Sequence, residues 1–213
     1  SENAIIRLIR AAFPEHTILA EESGVTLGTG PYEWIIDPLD GTTNYAHHLP
    51  QFSLSIAFAL EGDILFGLIL NPVTGELFCG SKGEGAELNG RPIRVSATKS
   101  VRESLLVTGF PYGLQSVIRP LICRFERCLM AAQGVRRLGS AALDLCYVAC
   151  GRFDGFWEQN LAPWDTAAGM LIAREAGATI SDFSNEPYRI EKKEILATNG
   201  LIHQEMTALL TLS

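Results

Sequence analysis

The stretch Asp37-Pro38-Leu39-Asp40-Gly41-Thr42-Thr43-Asn44 sets two carboxylates close together directly after an apolar run, Trp34-Ile35-Ile36. That run reads as a buried strand. Pro38 predicts that the strand gives way to a turn, because proline has no N–H for a ladder. Such a turn would bring Asp37 and Asp40 to one side. Gly41 would let the backbone approach a ligand closely, and Thr42 offers a hydroxyl and an amide N–H. The combination suits a hard divalent cation bound beside an anion. Asp-Gly is equally a common turn dipeptide, and Asp, Thr and Asn are ordinary helix caps, so the bare motif fits a structural turn as well as a site. A helix-loop-helix calcium site is disfavoured, since its alternate-position oxygens and closing glutamate are absent.

Other acids stand at the ends of predicted elements. Glu21 and Glu22 follow a short strand, Ile18-Leu19-Ala20, where a solvated loop or a second oxygen cluster are both readings. Asp165, in Pro163-Trp164-Asp165-Thr166, opens a helix that runs through Met170 and Leu171 and stops at Gly177. It is a natural N-cap, and an N-cap carboxylate can also face a cleft, where the helix dipole keeps it ionised. Two like charges 4 Å apart repel by about 4 kcal/mol at an effective dielectric near 20. Were Glu21, Asp37, Asp40 and Asp165 to meet, they would protonate or disperse unless cations compensated them. Magnesium is the economical choice, taking oxygen ligands and keeping waters for chemistry. Residue types alone leave open whether these acids meet.

The elements that would position them follow from periodicity. Glu2 to Phe13 reads as an amphipathic helix ended by Pro14. From Gln51 to Val95 the pattern is antiparallel hairpins, turning at Glu61-Gly62-Asp63, Asn71 to Gly75 and Asn89-Gly90. The Gly-rich run from Gly80 to Gly85 joins strands, so a hairpin turn is favoured there over a phosphate cradle. Ser104 to Thr108 reads as a strand, and Ile118 to Ala132 as a helix with Leu121, Ile122, Phe125, Cys128, Leu129 and Ala132 on one face. A short strand, Val135 to Leu138, precedes a helix from Ala141 to Cys150 whose first N–H groups could receive a polar ligand or serve close packing. A strand ends on Glu158, and Thr179 to Ser213 gives two strands around a charged turn and a final helix. His47, His48 and His203 lack partners at metal-ligand spacing. These elements predict an α/β layered fold, one domain over 1–213 with a hairpin-rich lobe (1–133) and an α/β lobe (134–213).

Composition bounds the function. The apolar fraction of 47% and the absence of low-complexity sequence describe a globular chain. No apolar run reaches the length of a membrane span and no signal peptide is visible, so a cytoplasmic protein without a membrane partner is expected. The five cysteines are odd in number and lack C-x-x-C spacing, which predicts reduced thiols. A net charge of −7 argues against nucleic acid as the main ligand. It also suits an anionic substrate poorly unless metal ions reverse the sign locally.

The segments Ile18 to Ser23, Trp34 to Asn44 and Pro163 to Gly169 resemble, in order and spacing, the three signature segments of the inositol monophosphatase family. Arg137 to Asp144 and Phe156-Trp157-Glu158 fit its bacterial members, so the resemblance covers essentially the whole chain. It implies an α-β-α-β-α stack like that of fructose-1,6-bisphosphatase, and a homodimer. It implies that Glu21, Asp37 and the Leu39 carbonyl hold one Mg2+, that Asp37, Asp40 and Asp165 hold a second, and that Glu21 reaches a third through water. Gly41 and Thr42 N–H groups would take phosphate oxygens, with the Thr42 hydroxyl orienting water. Asp40, Ala141, Glu158 and Asp165 would meet polyol hydroxyls, Glu158 selecting the sugar. The implied activity is lithium-sensitive, Mg2+-dependent hydrolysis of inositol-1-phosphate by metal-activated water. Alternatives within the resemblance are fructose-1,6-bisphosphate, histidinol phosphate or a 3′-phosphonucleotide as substrate, or a role as a partner of the transcription and RNA-processing machinery. The resemblance also implies an upstream Asp-x-Val-Thr-x-x-Asp-like segment. That segment is not within this sequence: either the chain was shortened or the segment is disordered, and the expectation is a disordered arm over the metal site.

Overall fold

The computed structural model describes residues 1–111 and 118–212. Ser213, the last residue of the predicted C-terminal stretch, lies outside them. The first sheet is built from β1 (Thr17–Ala20), β2 (Gly24–Thr26), β3 (Tyr32–Asp40), β4 (Ser53–Leu60), β5 (Asp63–Asn71), β6 (Glu76–Ser81), β7 (Gly85–Leu88) and β8 (Arg91–Pro92). Its order is β2-β1-β3-β4-β5-β6-β7-β8, with β1 and β3 parallel. The predicted hairpins form. Asn89 and Gly90 both take positive φ, the backbone that a tight two-residue turn demands. The Gly-rich run is a hairpin turn, and its Gly83 and Gly85 N–H groups donate to the Glu175 carboxylate, each at 2.9 Å.

The second sheet contains β9 (Leu105–Thr108), β10 (Gly134–Arg136), β11 (Gly155–Gln159), β12 (Thr179–Ser181) and β13 (Glu194–Thr198), in the order β10-β9-β11-β13-β12. The helices are α1 (Glu2–Ala12), α2 (Thr42–Ala46), α3 (Ile118–Ala131), α4 (Ala141–Ala149), α5 (Pro163–Glu175) and α6 (His203–Leu210). The pair α4 and α5 lies between the sheets, and every residue of α4 is buried. A helix with apolar surface all round belongs in that place. Helix α1 covers the outer face of the first sheet, with Ile9 packed on Ile18 and Ile36. Helices α3 and α6 cover the second, through Cys128 and Met206 against Leu106 and Leu196. The layers run α-β-α-β-α, as the family resemblance implies. The chain crosses to the second sheet between β8 and β9, ahead of residue 133.

Helix α5 rests on the first sheet at backbone contact. A Cβ added at Gly67 of β5 would lie 2.7 Å from the Ala168 carbonyl oxygen, and one at Gly80 of β6 would lie 3.1 Å from Ile172 Cα. The glycines therefore set the height of α5 over β5 and β6.

Three local expectations are corrected. Pro38 does not end its strand. β3 continues to Asp40, and its pairing with β4 shifts between Asp37↔Ser55 and Asp40↔Ser53. Proline is accommodated at this bulge, where a ladder bond is lost in any case. In α3, Leu121 and Cys128 are buried, but Ile122 and Leu129 are about half exposed, at 47% and 48%. The apolar face is narrower than the periodicity suggests. The three-residue β2 carries too little periodic signal to be read, and the turn at Glu21 to Ser23 leads into it. The cysteines are all free, in keeping with the expectation of reduced thiols.

Candidate metal and phosphate site

The β3 bulge is what gathers the acids. The extra residue on β3 turns Asp37 and Asp40 toward the same end of the sheet, where both are buried, at 1% and 8% exposure. The Asp37 Oδ1 accepts the Leu39 N–H at 2.8 Å, an Asx turn that fixes the bulge. Asp40 Oδ2 accepts from Ser140 Oγ and, at 2.9 Å, from the Ala142 N–H. The first turn of α4 thus does receive a polar group, and the group is the protein's own Asp40. Ser140, the N-cap of α4, joins β3 to the inter-sheet helices.

Asp165 arrives from α5. It is not the N-cap. Ala162 holds that place, and Asp165 sits three residues on, its Oδ2 accepting the Ala162 N–H at 2.7 Å. That is the carboxylate half of a capping box. One oxygen of each aspartate is anchored to backbone and the other is left over. Carboxylate oxygens of Asp37, Asp40 and Asp165 lie within 4.8 Å of one another, a grouping that could hold a metal ion.

Electrostatics show what such a cluster needs. Burial, then Asp40 and Glu21, push the Asp37 carboxyl up to about 9 against the opposing Leu39 hydrogen bond. Burial raises Asp40 to about 6, with Ser140 and the Ala142 and Ala141 N–H groups pulling the other way. Asp165 rises to about 7, chiefly by burial, although the Ala162 N–H favours its charge. Hard oxygen donors, close spacing and unfavourable charge together fit a divalent ion of the magnesium type.

The remaining predicted residues divide between this cluster and its surroundings. Glu21 is exposed at the end of β1, outside the tight aspartate trio, yet close enough to raise Asp37, Asp40 and Asp165. The Leu39 carbonyl accepts the Thr42 hydroxyl at 3.2 Å. Gly41 has φ +91°, and a Cβ there would lie 2.8 Å from the Gln51 carbonyl oxygen and 3.1 Å from that of Gly139. The closest neighbours of Gly41 are thus its own chain, so its need for glycine does not depend on a ligand. Glu158, near the end of β11, is 7% exposed, and a Cβ on Gly109 would strike its carboxylate. Burial, then Asp40 and Asp165, raise it to about 8, while Arg137 lowers it. Asp40, Gly41, Ala141, Glu158 and Asp165 line one cavity of about 110 Å³. A larger groove, about 820 Å³ around Ser81, Arg94 and Glu175, lies away from the acid cluster.

Two supporting residues escaped the sequence reading. The Asn44 amide donates to the carbonyls of Gln51 (2.6 Å) and Leu138 (2.7 Å), pinning α2 to the loops beside it. Its signal was confined to one polar letter after Thr-Thr. Asp144 of α4 is 1% exposed, and neither carboxylate oxygen has a hydrogen-bond partner among the described residues. Burial, then the charges of Glu158 and Asp40, push this carboxyl well above the usual range against the opposing charge of Arg137. An acid between Leu143 and Leu145 in an apolar helix was the available clue. His203, given no role, is a buried brace bonded to Ser181 and Thr198.

Comparison with known proteins bears on this site. The sequence matches the Inositol monophosphatase family over residues 1–212. It is 47% identical over 209 residues to an inositol-1-monophosphatase of Synechocystis, covering 97% of this chain and 72% of that protein. It is 44% identical over 204 residues to the Nus factor SuhB of Pseudomonas aeruginosa, covering 93% of this chain and 75% of that protein. The solved inositol monophosphatase of Anabaena superposes with a TM-score of 0.94 at 47% identity, covering 98% of this chain and 83% of that one.

Proposed function

The chain belongs to the inositol monophosphatase family, and we infer from that premise that it hydrolyses inositol-1-phosphate to inositol and phosphate with magnesium. The observation that carries the reading is the buried trio Asp37, Asp40 and Asp165, whose oxygens converge within 4.8 Å. A staphylococcal relative has been solved with inositol monophosphate bound, at 28% identity and a TM-score of 0.86.

Glu21, Asp37 and the Leu39 carbonyl would hold one ion, and Asp37, Asp40 and Asp165 a second, with Glu21 reaching a third through water. Bound magnesium supplies charge compensation for the phosphate dianion, activation of water and stabilisation of the departing alkoxide. The chain's own residues bind and orient. Gly41 and Thr42 N–H groups, at the start of α2 where no intrahelical acceptor exists, would receive phosphate oxygens. The Thr42 hydroxyl would turn from the Leu39 carbonyl to orient the attacking water. Glu158, once ionised by the cations beside it, would accept hydrogen bonds from neighbouring hydroxyls. Asp40, Asp165 and the backbone of Ala141 would complete the contacts to the alcohol. The same reading carries a homodimer, sensitivity to lithium and a cytoplasmic setting. Among the described residues no helix is long and apolar enough to cross a membrane.

Phosphate release from inositol-1-phosphate, with magnesium and with chelator, tests the reading. Activity is expected only with the metal, and Asp40→Asn should lower kcat by at least ~100-fold, about 2.7 kcal/mol of barrier. Faster turnover of fructose-1,6-bisphosphate, histidinol phosphate or a 3′-phosphonucleotide would move the assignment within the family. A second reading, as a partner of the transcription machinery, is favoured by several relatives at 42–44% identity that carry the name Nus factor SuhB. Asp40→Asn separates the two, since it should abolish hydrolysis and leave partner binding intact.

A further inference from the structure

The lining of the acid cavity includes one cationic side chain, Arg137. The other ionisable groups there are Asp40, Glu158 and Asp165. The ion pairs among the described residues are Lys82–Asp63, Arg124–Glu194, Arg152–Glu76 and Lys192–Asp182, and Arg137 belongs to none. Arg137 is an exposed residue and makes no side-chain hydrogen bond to a protein acceptor among the described residues. It is nonetheless placed. The Nη1 lies 2.6 Å from where a Cβ of Gly139 would stand, so glycine there leaves the space it uses. The Cζ lies 6.0 Å from the centroid of the Phe110 ring. Phe110 follows Gly109, the residue against which Glu158 is packed. Arg137 therefore stands on the rim at the Glu158 side of the cavity, where the alcohol part of a substrate would lie.

A neutral polyol gives a guanidinium little to do. Its five N–H donors match the two oxygens of a carboxylate or phosphate, and the paired charge-assisted bonds are about twice as strong as neutral ones. We propose that Arg137 extends this site beyond inositol-1-phosphate to phosphomonoesters whose alcohol carries a second anionic group, the guanidinium gripping that group while the phosphate undergoing hydrolysis sits against the metal cluster. The inference rests on the phosphomonoesterase reading above.

A matched pair of substrates tests it. Glycerol 2-phosphate and 2-phosphoglycerate carry the ester on the same carbon and differ by a CH2OH against a carboxylate. With free magnesium held constant, kcat/KM is measured for both with wild type, Arg137→Gln and Arg137→Lys, and inositol-1-phosphate serves as the control. The ratio for 2-phosphoglycerate over glycerol 2-phosphate should fall at least ~10-fold in Arg137→Gln, with Arg137→Lys between the two because ammonium lacks the fork. The same ratio measured with a bisphosphorylated polyol reports whether phosphate is gripped as well. An unchanged ratio with hydrolysis intact, even with a common shift in pH optimum through Glu158, would reduce Arg137 to a counter-charge and overturn the inference alone. No hydrolysis of any substrate by the wild type would overturn the phosphomonoesterase reading and this one with it.

Discussion

Each aspartate of the trio spends one oxygen on its own scaffold, and this makes the cluster legible in titration. Asp37, Asp40 and Asp165 have raised values of about 9, 6 and 7 in the folded chain, against an unfolded value of about 3.9. The folded state therefore binds more protons than the unfolded state between roughly pH 4 and pH 9. The contribution of these three groups to stability without metal is fully present below that window and is lost as pH rises through it. Thermal melts in chelator should show this decline, and magnesium should flatten it by replacing protons with cations. Asp165→Asn keeps an acceptor for the Ala162 N–H but removes a charge. In chelator at pH 8 it should be more stable than wild type by on the order of 2 kcal/mol or more, and by less at pH 5, where only the first part of the loss has occurred. A wild-type melt in chelator independent of pH would contradict the crowding of these groups. The acids themselves could be chosen from sequence, because each stands at the end of an element. Their spare oxygens could not, because Ser140, Ala142 and Ala162 come from elsewhere in the chain or from a helix start read one cap too late.

At the scale of elements, the site depends on where α5 sits over the first sheet. Gly67→Ala would force a methyl group to within 2.7 Å of the Ala168 carbonyl oxygen, a clash that only movement of backbone relieves. The expected cost is on the order of 2 kcal/mol by chemical denaturation, together with weaker magnesium binding as Asp165 is carried away from Asp37. Wild-type stability and affinity in that variant would show that α5 is not seated by glycine. Hairpins were readable because turn residues and two-residue alternation are local, as Asn89-Gly90 illustrates. The bulge at Pro38 was not, because whether a proline ends a strand or sits within it depends on β4, whose Ser55 and Ser53 pair on either side. Nor could the exposure of Ile122 and Leu129 be foreseen, since the width of the buried face of α3 is set by the neighbouring layer.

For the whole molecule, five layers bring together acids that are 128 positions apart at the extremes, from Asp37 to Asp165. A chain of net charge −7 then presents a buried carboxylate cluster to an anionic substrate, which is workable only if cations intervene. That necessity was visible in composition. The convergence was visible through the family resemblance, since spacing along the chain does not fix distance in space. Direct titration of magnesium into the purified protein by calorimetry measures the convergence itself. At least two sites per chain are expected for the wild type, and Asp37→Asn is expected to lose both of the ions proposed to share Asp37; no binding at millimolar magnesium, or a titration unaltered by Asp37→Asn, would contradict a shared metal cluster at the end of β3.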